Sequence, residues 1–195
     1  MYFRASGQLK LEESVLHGVE SGAELFLVEG DSAAASVCSL RNNQLQAVLA
    51  MQGKPMNAMK ATSTKVYENV LFQRLAKALA VDLIDEGPQV GLALTDRLAQ
   101  LRFAKVILLF DPDADGIHCN ALMQLFFYRW MRPLLEAGRI EAVHFSLDEI
   151  KAYRPRGLGS LDPEKLRAEC ITPATRHTRT ITTSSALAAI SVFGR

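Results

Sequence analysis

The segment Asp111-Pro112-Asp113-Ala114-Asp115-Gly116 places three carboxylates within five residues, and two more stand in Glu29-Gly30-Asp31. Each group directly follows a short apolar run, Lys105 to Phe110 (KVILLF) and Glu24 to Val28 (ELFLV). Such near-continuous, β-prone runs are expected of strands buried on both faces of a parallel sheet. Ligands bind to such sheets beyond the C-terminal ends of the strands, which is where these carboxylates fall. If the two strands are neighbours, four or five carboxylates converge. Like charges at that range raise one another's pKa unless a cation neutralises them. A hard, oxygen-binding cation, most simply Mg²⁺, is the economical partner.

Three other chemistries compete for the Asp cluster. An EF-hand needs a bidentate Glu six positions after the Gly, where Leu122 stands, and a helix before the loop rather than a strand. That reading is rejected. A haloacid-dehalogenase-like phosphotransferase also begins with Asp-x-Asp after a strand, but it typically has Thr or Val where Asp115 stands and no second Glu-Gly-Asp strand end. It remains an alternative. A solvated acidic turn is the plainest reading, since Asp is a common turn former. Two buried strands that both end in carboxylates weigh against it.

The elements that must carry these residues follow from periodicity. Lys65 to Leu83 has Val66, Val70, Leu71, Leu75, Leu79 and Leu83 at spacings of three and four, which predicts an amphipathic helix between the strands. After the second strand, Asn120 to Ala137 predicts a long helix, kinked at Pro133, with Gly138 just beyond its end. Strands alternating with helices predict an α/β domain with a mostly parallel sheet. From about Ser146 the texture changes to the Gly- and Pro-rich YRPRGLGSLDP. Asp162 then reads as an N-cap with Pro163 at the first helical position, followed by a strand-like Thr178 to Thr183 and a weakly amphipathic Ala186 to Phe193.

Composition narrows the class. The 195 residues are 49% hydrophobic and 22% charged, which excludes a disordered or collagen-like chain. No apolar run reaches the ~18 residues that a membrane span needs, and Met1 to Lys10 lacks the apolar core of a secretory signal. Cys38, Cys119 and Cys170 are odd in number and far apart, so they fit reduced thiols of a cytoplasmic protein better than a disulfide framework or a zinc pair. The net charge of +1 hides an asymmetry, because residues 146–195 carry eight basic against five acidic side chains.

Three motifs in order, LVEGDSA (Leu27 to Ala33), QGKPMNAMKA (Gln52 to Ala61) and DPDADGIH (Asp111 to His118), resemble the TOPRIM domain of type IIA DNA topoisomerases of the gyrase B and topoisomerase IV type. The resemblance continues through FFYRWMRPLLEAGRI (Phe126 to Ile140) and resumes at RGLGSLDPEKL (Arg156 to Leu166) and PATR (Pro173 to Arg176). It implies a Rossmann-like TOPRIM sheet flanked by helices, with a small C-terminal α+β tail. Residues 1–22 become a lead-in, 23–145 the TOPRIM domain and 146–195 the tail. It further implies that Glu29 is the general acid/base for the ribose 3′-oxygen and also a metal ligand, and that Asp111, Asp113 and Asp115 hold Mg²⁺ beside the scissile phosphate. Lys54, Lys60, His118 and Arg156 match positions expected to meet DNA. The partners implied are DNA, a tyrosine-bearing partner of the gyrase A type that supplies the nucleophile, and a separate ATPase component.

Departures from the family pattern temper this. Ala34-Ala35 stand for Gly-Gly, Pro112 interrupts the Asp triplet, and His144-Phe145-Ser146 replace Gln-Pro-Pro. The long insertion before Arg156-Gly157-Leu158-Gly159 is missing, and Arg156 stands for a lysine. Nothing in the chain resembles the ATP-binding domain or the tyrosine-bearing domain. The expectation is a TOPRIM protein that supplies half of a cleavage site. A Mg²⁺-dependent TOPRIM nuclease and a non-catalytic fragment that docks on DNA or gyrase-type proteins are the alternatives.

Overall fold

The computed structural model describes residues 11–83, 98–145, 151 and 157–194. Six strands form one sheet: β1 (Leu11–Glu12), β2 (Glu24–Glu29), β3 (Gln46–Met51), β4 (Lys105–Leu109), β5 (Ile140–Val143) and β6 (Thr178–Thr180). Their order is β1-β3-β2-β4-β5-β6, with β3, β2, β4 and β5 parallel and the two edge strands antiparallel. This is the mostly parallel α/β sheet that the alternation of elements predicts. β3 (QAVLAM) and β5 (IEAV) are strands that the sequence pattern does not announce. Ala and Glu dilute their β-branched content, so only pairing with β2 and β4 marks them as strands.

Alternate residues of the central strands feed two cores. Leu25, Leu27, Leu49, Val106 and Leu108 face one side, and Phe26, Val28, Val48, Ile107 and Leu109 the other. The first side is covered by α2 (Ser63–Tyr67), α3 (Val70–Leu79), α4 (Ala114–Trp130), α5 (Arg132–Glu136) and α7 (Thr183–Phe193). Here Phe72 of α3 stacks on Phe126 of α4 with centroids 4.1 Å apart. The second side is covered by α1 (Gly30–Leu40) and by Leu158, Leu166, Cys170 and Ile171 of the C-terminal segment. That segment therefore supplies one core layer, and through β6 an edge strand.

The two long helices expected from periodicity are each broken. Asn69 accepts a hydrogen bond from the Phe72 N–H and starts α3 afresh after α2. Pro133 leaves α4 ending at Trp130 and stands at the start of the separate α5 rather than kinking a continuous helix. Gly138 follows α5 with φ +65°, the left-handed position expected for it. Asp162 caps α6 (Pro163–Lys165) as expected, accepting from the Glu164 and Lys165 N–H groups, and the chain continues through a π-helical turn, Leu166–Ile171.

A polar cluster buried at the N-terminal ends of the parallel strands ties the C-terminal segment down. The Arg176 guanidinium grips Glu24 bidentately at 2.7 and 2.5 Å, and Gln46 donates to Glu24 and to the Ile171 carbonyl, both at 3.0 Å. Glu141 accepts from Lys105 and from Thr178 Oγ1. Burial pushes the Glu141 carboxyl up, but these hydrogen bonds and the charges of Lys105 and Arg176 outweigh it and hold its pKa below the ordinary value.

Candidate functional site

At the opposite, C-terminal ends of β2 and β4 the carboxylates come together. β2 and β4 are parallel neighbours with Val28 opposite Leu109, so Glu29 and Asp111 leave the sheet side by side. The chain turns from β2 into α1 through Gly30, whose φ of +80° a residue with a Cβ rarely adopts. Glu29 occupies the N-cap position of α1 without a side-chain capping bond, and its Oε2 is buried with no hydrogen-bond partner among the described residues. Asp113 caps α4, its Oδ1 accepting the Gly116 N–H at 2.8 Å. Gly116 fits because a Cβ there would lie 2.0 Å from the Asp111 carbonyl oxygen. Pro112 is buried between the two aspartates, and the cap forms all the same.

Burial, and then the charges of Asp111 and Asp113 with a smaller effect of Asp115, raise the Glu29 pKa, while a hydrogen bond from Cys119 opposes the rise. The Cys119 thiol is fully buried on α4 and pushed up to about 12, first by burial and then by the Glu29 charge. It therefore stays a neutral donor facing Glu29. Asp31 is exposed on the first turn of α1 and is not among the charges acting on Glu29. The charges that act on Glu29 are those of Asp111 and Asp113 and, more weakly, Asp115, without Asp31.

The loop between β3 and α2 brings Lys54 to this cluster. Arg129 of α4 donates to the carbonyls of Ala58, Met59 and Ala61 at 3.0, 3.0 and 3.3 Å. Asn57 Oδ1 accepts from the N–H groups of Met59 and Lys60, and Asn57 Nδ2 donates to the Phe193 carbonyl at the end of α7. Held in this way, the loop sets Lys54 Nζ 2.8 Å from Asp115 Oδ1. Lys60 is exposed farther along the same loop, and its charge is not among those acting on Glu29 or Asp115. His118 lies on the first turns of α4, stacked on Phe193 at 5.1 Å, and the Asp115 pKa is lowered first by the Lys54 hydrogen bond, then by the Lys54 charge and least by His118. Arg129, Asn57 and Cys119 are contributors that the motifs did not mark as functional. An arginine in the otherwise apolar FFYRWM run is the one such signal.

The C-terminal segment closes over the cluster from the other side. The Leu158 N–H donates to Asp111 Oδ1 at 2.8 Å, and Gly157 presents its backbone to Asp111 Oδ2. Gly159 approaches Ser32 on α1. Arg156 lies outside the described residues.

Residues 24–146 match the family model described as the Toprim domain, nearly two thirds of the chain. The chain belongs to the Toprim family. It is 32% identical over 198 residues to the B subunit of DNA gyrase from Thermus thermophilus, an alignment covering 88% of this chain and 30% of that protein. It is 39% identical over 131 residues to the novobiocin-sensitive DNA gyrase B protein of Streptomyces niveus (67% of this chain, 18% of that protein). To the B subunit of DNA topoisomerase 4 from Pseudomonas aeruginosa it is 30% identical over 202 residues (88% and 30%). The chain spans less than a third of the length of these relatives.

Glu29, Asp111, Asp113 and Asp115 are the candidate donors for a metal. All are hard oxygen ligands, and the buried Glu29 Oε2 lacks a protein donor among the described residues. Among the described residues no three His, Cys, Asp or Glu side chains are grouped closely enough to cage one ion. Mg²⁺ does not require such a cage, since it keeps several waters and binds through one or two carboxylates plus substrate phosphate. These hard oxygen donors are compatible with that mode. No described helix is long and apolar enough to cross a membrane.

Proposed function

We propose that this chain is the Toprim module of a gyrase B-like type IIA DNA topoisomerase, acting on DNA in the cytoplasm with Mg²⁺. The observation that carries the reading is Glu29, a half-buried carboxyl whose Oε2 is buried and unpartnered among the described residues, beside Asp111 and Asp113 at the ends of adjacent parallel strands. One or two of Asp111, Asp113, Asp115 and Glu29 would hold the ion, which when bound would neutralise charge on the scissile phosphate. Glu29 takes and returns the proton of the ribose 3′-oxygen, a task suited to a carboxyl whose surroundings favour the protonated form. Lys54, Lys60, His118 and Arg156 meet backbone phosphates, positioning the duplex rather than reading its sequence. The nucleophilic tyrosine comes from a gyrase A-type partner, and strand passage is driven by an ATPase unit outside this sequence.

The test is Mg²⁺-dependent cleavage of supercoiled plasmid with and without a gyrase A-type partner. A covalent protein–DNA adduct should form only with the partner and should be lost with Glu29→Gln. Nicking by the chain alone, abolished by Asp113→Ala, would replace this reading with the nuclease.

A further inference from the structure

Each aspartate of the cluster is engaged by a group of the protein itself. Asp111 accepts the Leu158 N–H, Asp113 caps α4, and Asp115 is paired with the Lys54 ammonium. Lys54 differs from the other two donors in being a full positive charge on a long stem. Its backbone belongs to the loop pinned by Arg129 and Asn57, while its side chain is 44% exposed. The same side chain lines a cavity of about 500 Å³ shared with Gln52, Met56, Lys65 and Asn69. Lys54 thus borders both the acidic cluster and this open space, which Lys65 also borders.

We propose that Lys54 is a tethered counter-ion: its ammonium neutralises Asp115 until a divalent cation binds the cluster, and the cation displaces it toward a backbone phosphate of the bound nucleic acid. This rests on the metal-binding part of the function proposed above. An ammonium 2.8 Å from Asp115 and a dication among the same carboxylates repel at short range. The ion pair and the bound cation therefore work against each other. The exposed pair is weak enough to be displaced. By reciprocity, cation binding raises the availability of Lys54 for phosphate by the same factor by which Lys54 lowers cation affinity.

The unusual consequence is a gain of metal affinity on removing a basic residue from a nucleic-acid site. In calorimetric Mg²⁺ titrations of the full chain at low ionic strength, Lys54→Met should bind roughly 3–10-fold more tightly than the parent. Lys54→Arg and Lys60→Met should stay within about twofold, because the first keeps the charge and the second removes one that does not act on the cluster. In anisotropy titrations of a short duplex at constant ionic strength, Lys54→Met should also lose most of the Mg²⁺-dependent part of DNA affinity. Unchanged or weakened Mg²⁺ binding in Lys54→Met overturns the proposal. If the parent shows no Mg²⁺ binding but Lys54→Met does, the ammonium blocks the cation instead of yielding to it, and the displacement is overturned. If neither binds, the Mg²⁺ site itself is wrong and the counter-ion falls with it, whereas loss of tyrosine-dependent cleavage alone leaves the Mg²⁺ result untouched.

Discussion

The backbone N–H of Leu158 donates to Asp111 Oδ1 at 2.8 Å across 47 residues of sequence. A residue of the C-terminal segment thus fixes a carboxylate at the end of β4, and Leu158 is itself buried against α1 and the sheet. The site is built from both the parallel sheet and the segment that folds back over it.

Gly157 makes this contact possible and is the place to break it. Its φ is +63°, and a Cβ there would lie 2.9 Å from Asp111 Oδ2. Gly157→Ala should cost about 1–2 kcal/mol in urea unfolding. It should also speed exchange of the Leu158 amide more than that of the sheet amides, as read by hydrogen–deuterium exchange.

Gly116 and Gly159 should respond differently to the same change. At Gly116 the new Cβ meets the Asp111 backbone carbonyl at 2.0 Å, whereas at Gly159 it meets the rotatable Ser32 Oγ at 2.7 Å. Gly116→Ala should lower stability by more than about 3 kcal/mol or prevent folding, and Gly159→Ala should cost less than about 1 kcal/mol. Equal melting temperatures for the two variants would contradict this geometry.

Arg176 should be the most sensitive residue of the C-terminal segment. Removing it strands the Glu24 carboxylate, which is 6% exposed, with Gln46 as its remaining side-chain partner in the cluster. Arg176→Met should destabilise the fold by about 3–5 kcal/mol, because an unpaired buried charge costs more than the pair contributes. Denaturant midpoints at pH 7 measure it.

Acid should act through Glu141. Its native pKa lies below the ordinary 4.5, so the stability it contributes is fully present above about that pH and is lost as the pH falls through the lowered native value. In Glu141→Gln this part of the acid dependence should vanish. The stability gap between the parent and the variant should be widest near neutrality and narrow steadily below pH 4.5. A constant gap from pH 7 to pH 3 would argue that Lys105, Thr178 and Arg176 do not favour the charged form.

Much of this molecule is written locally. The runs ELFLV and KVILLF, buried on both faces, each end in carboxylates, and that pattern alone points to a parallel α/β sheet with an acidic site at its strand ends. Asp162-Pro163 announces a helix start in the same way, because caps are decided by neighbours a few residues apart. Adjacency is not local. That β2 pairs with β4, so that Glu29 meets Asp111, depends on which strands exclude water together. That Asp31 stays outside the cluster depends on the direction in which α1 leaves Gly30. The pairing of Lys54 with Asp115, the fork of Arg129 on the loop carbonyls, and the closing of Leu158 over Asp111 span 47 to 71 residues. Hydrogen bonds and ion pairs of that reach form only after the hydrophobic layers have set the distances, and no spacing along the chain encodes them.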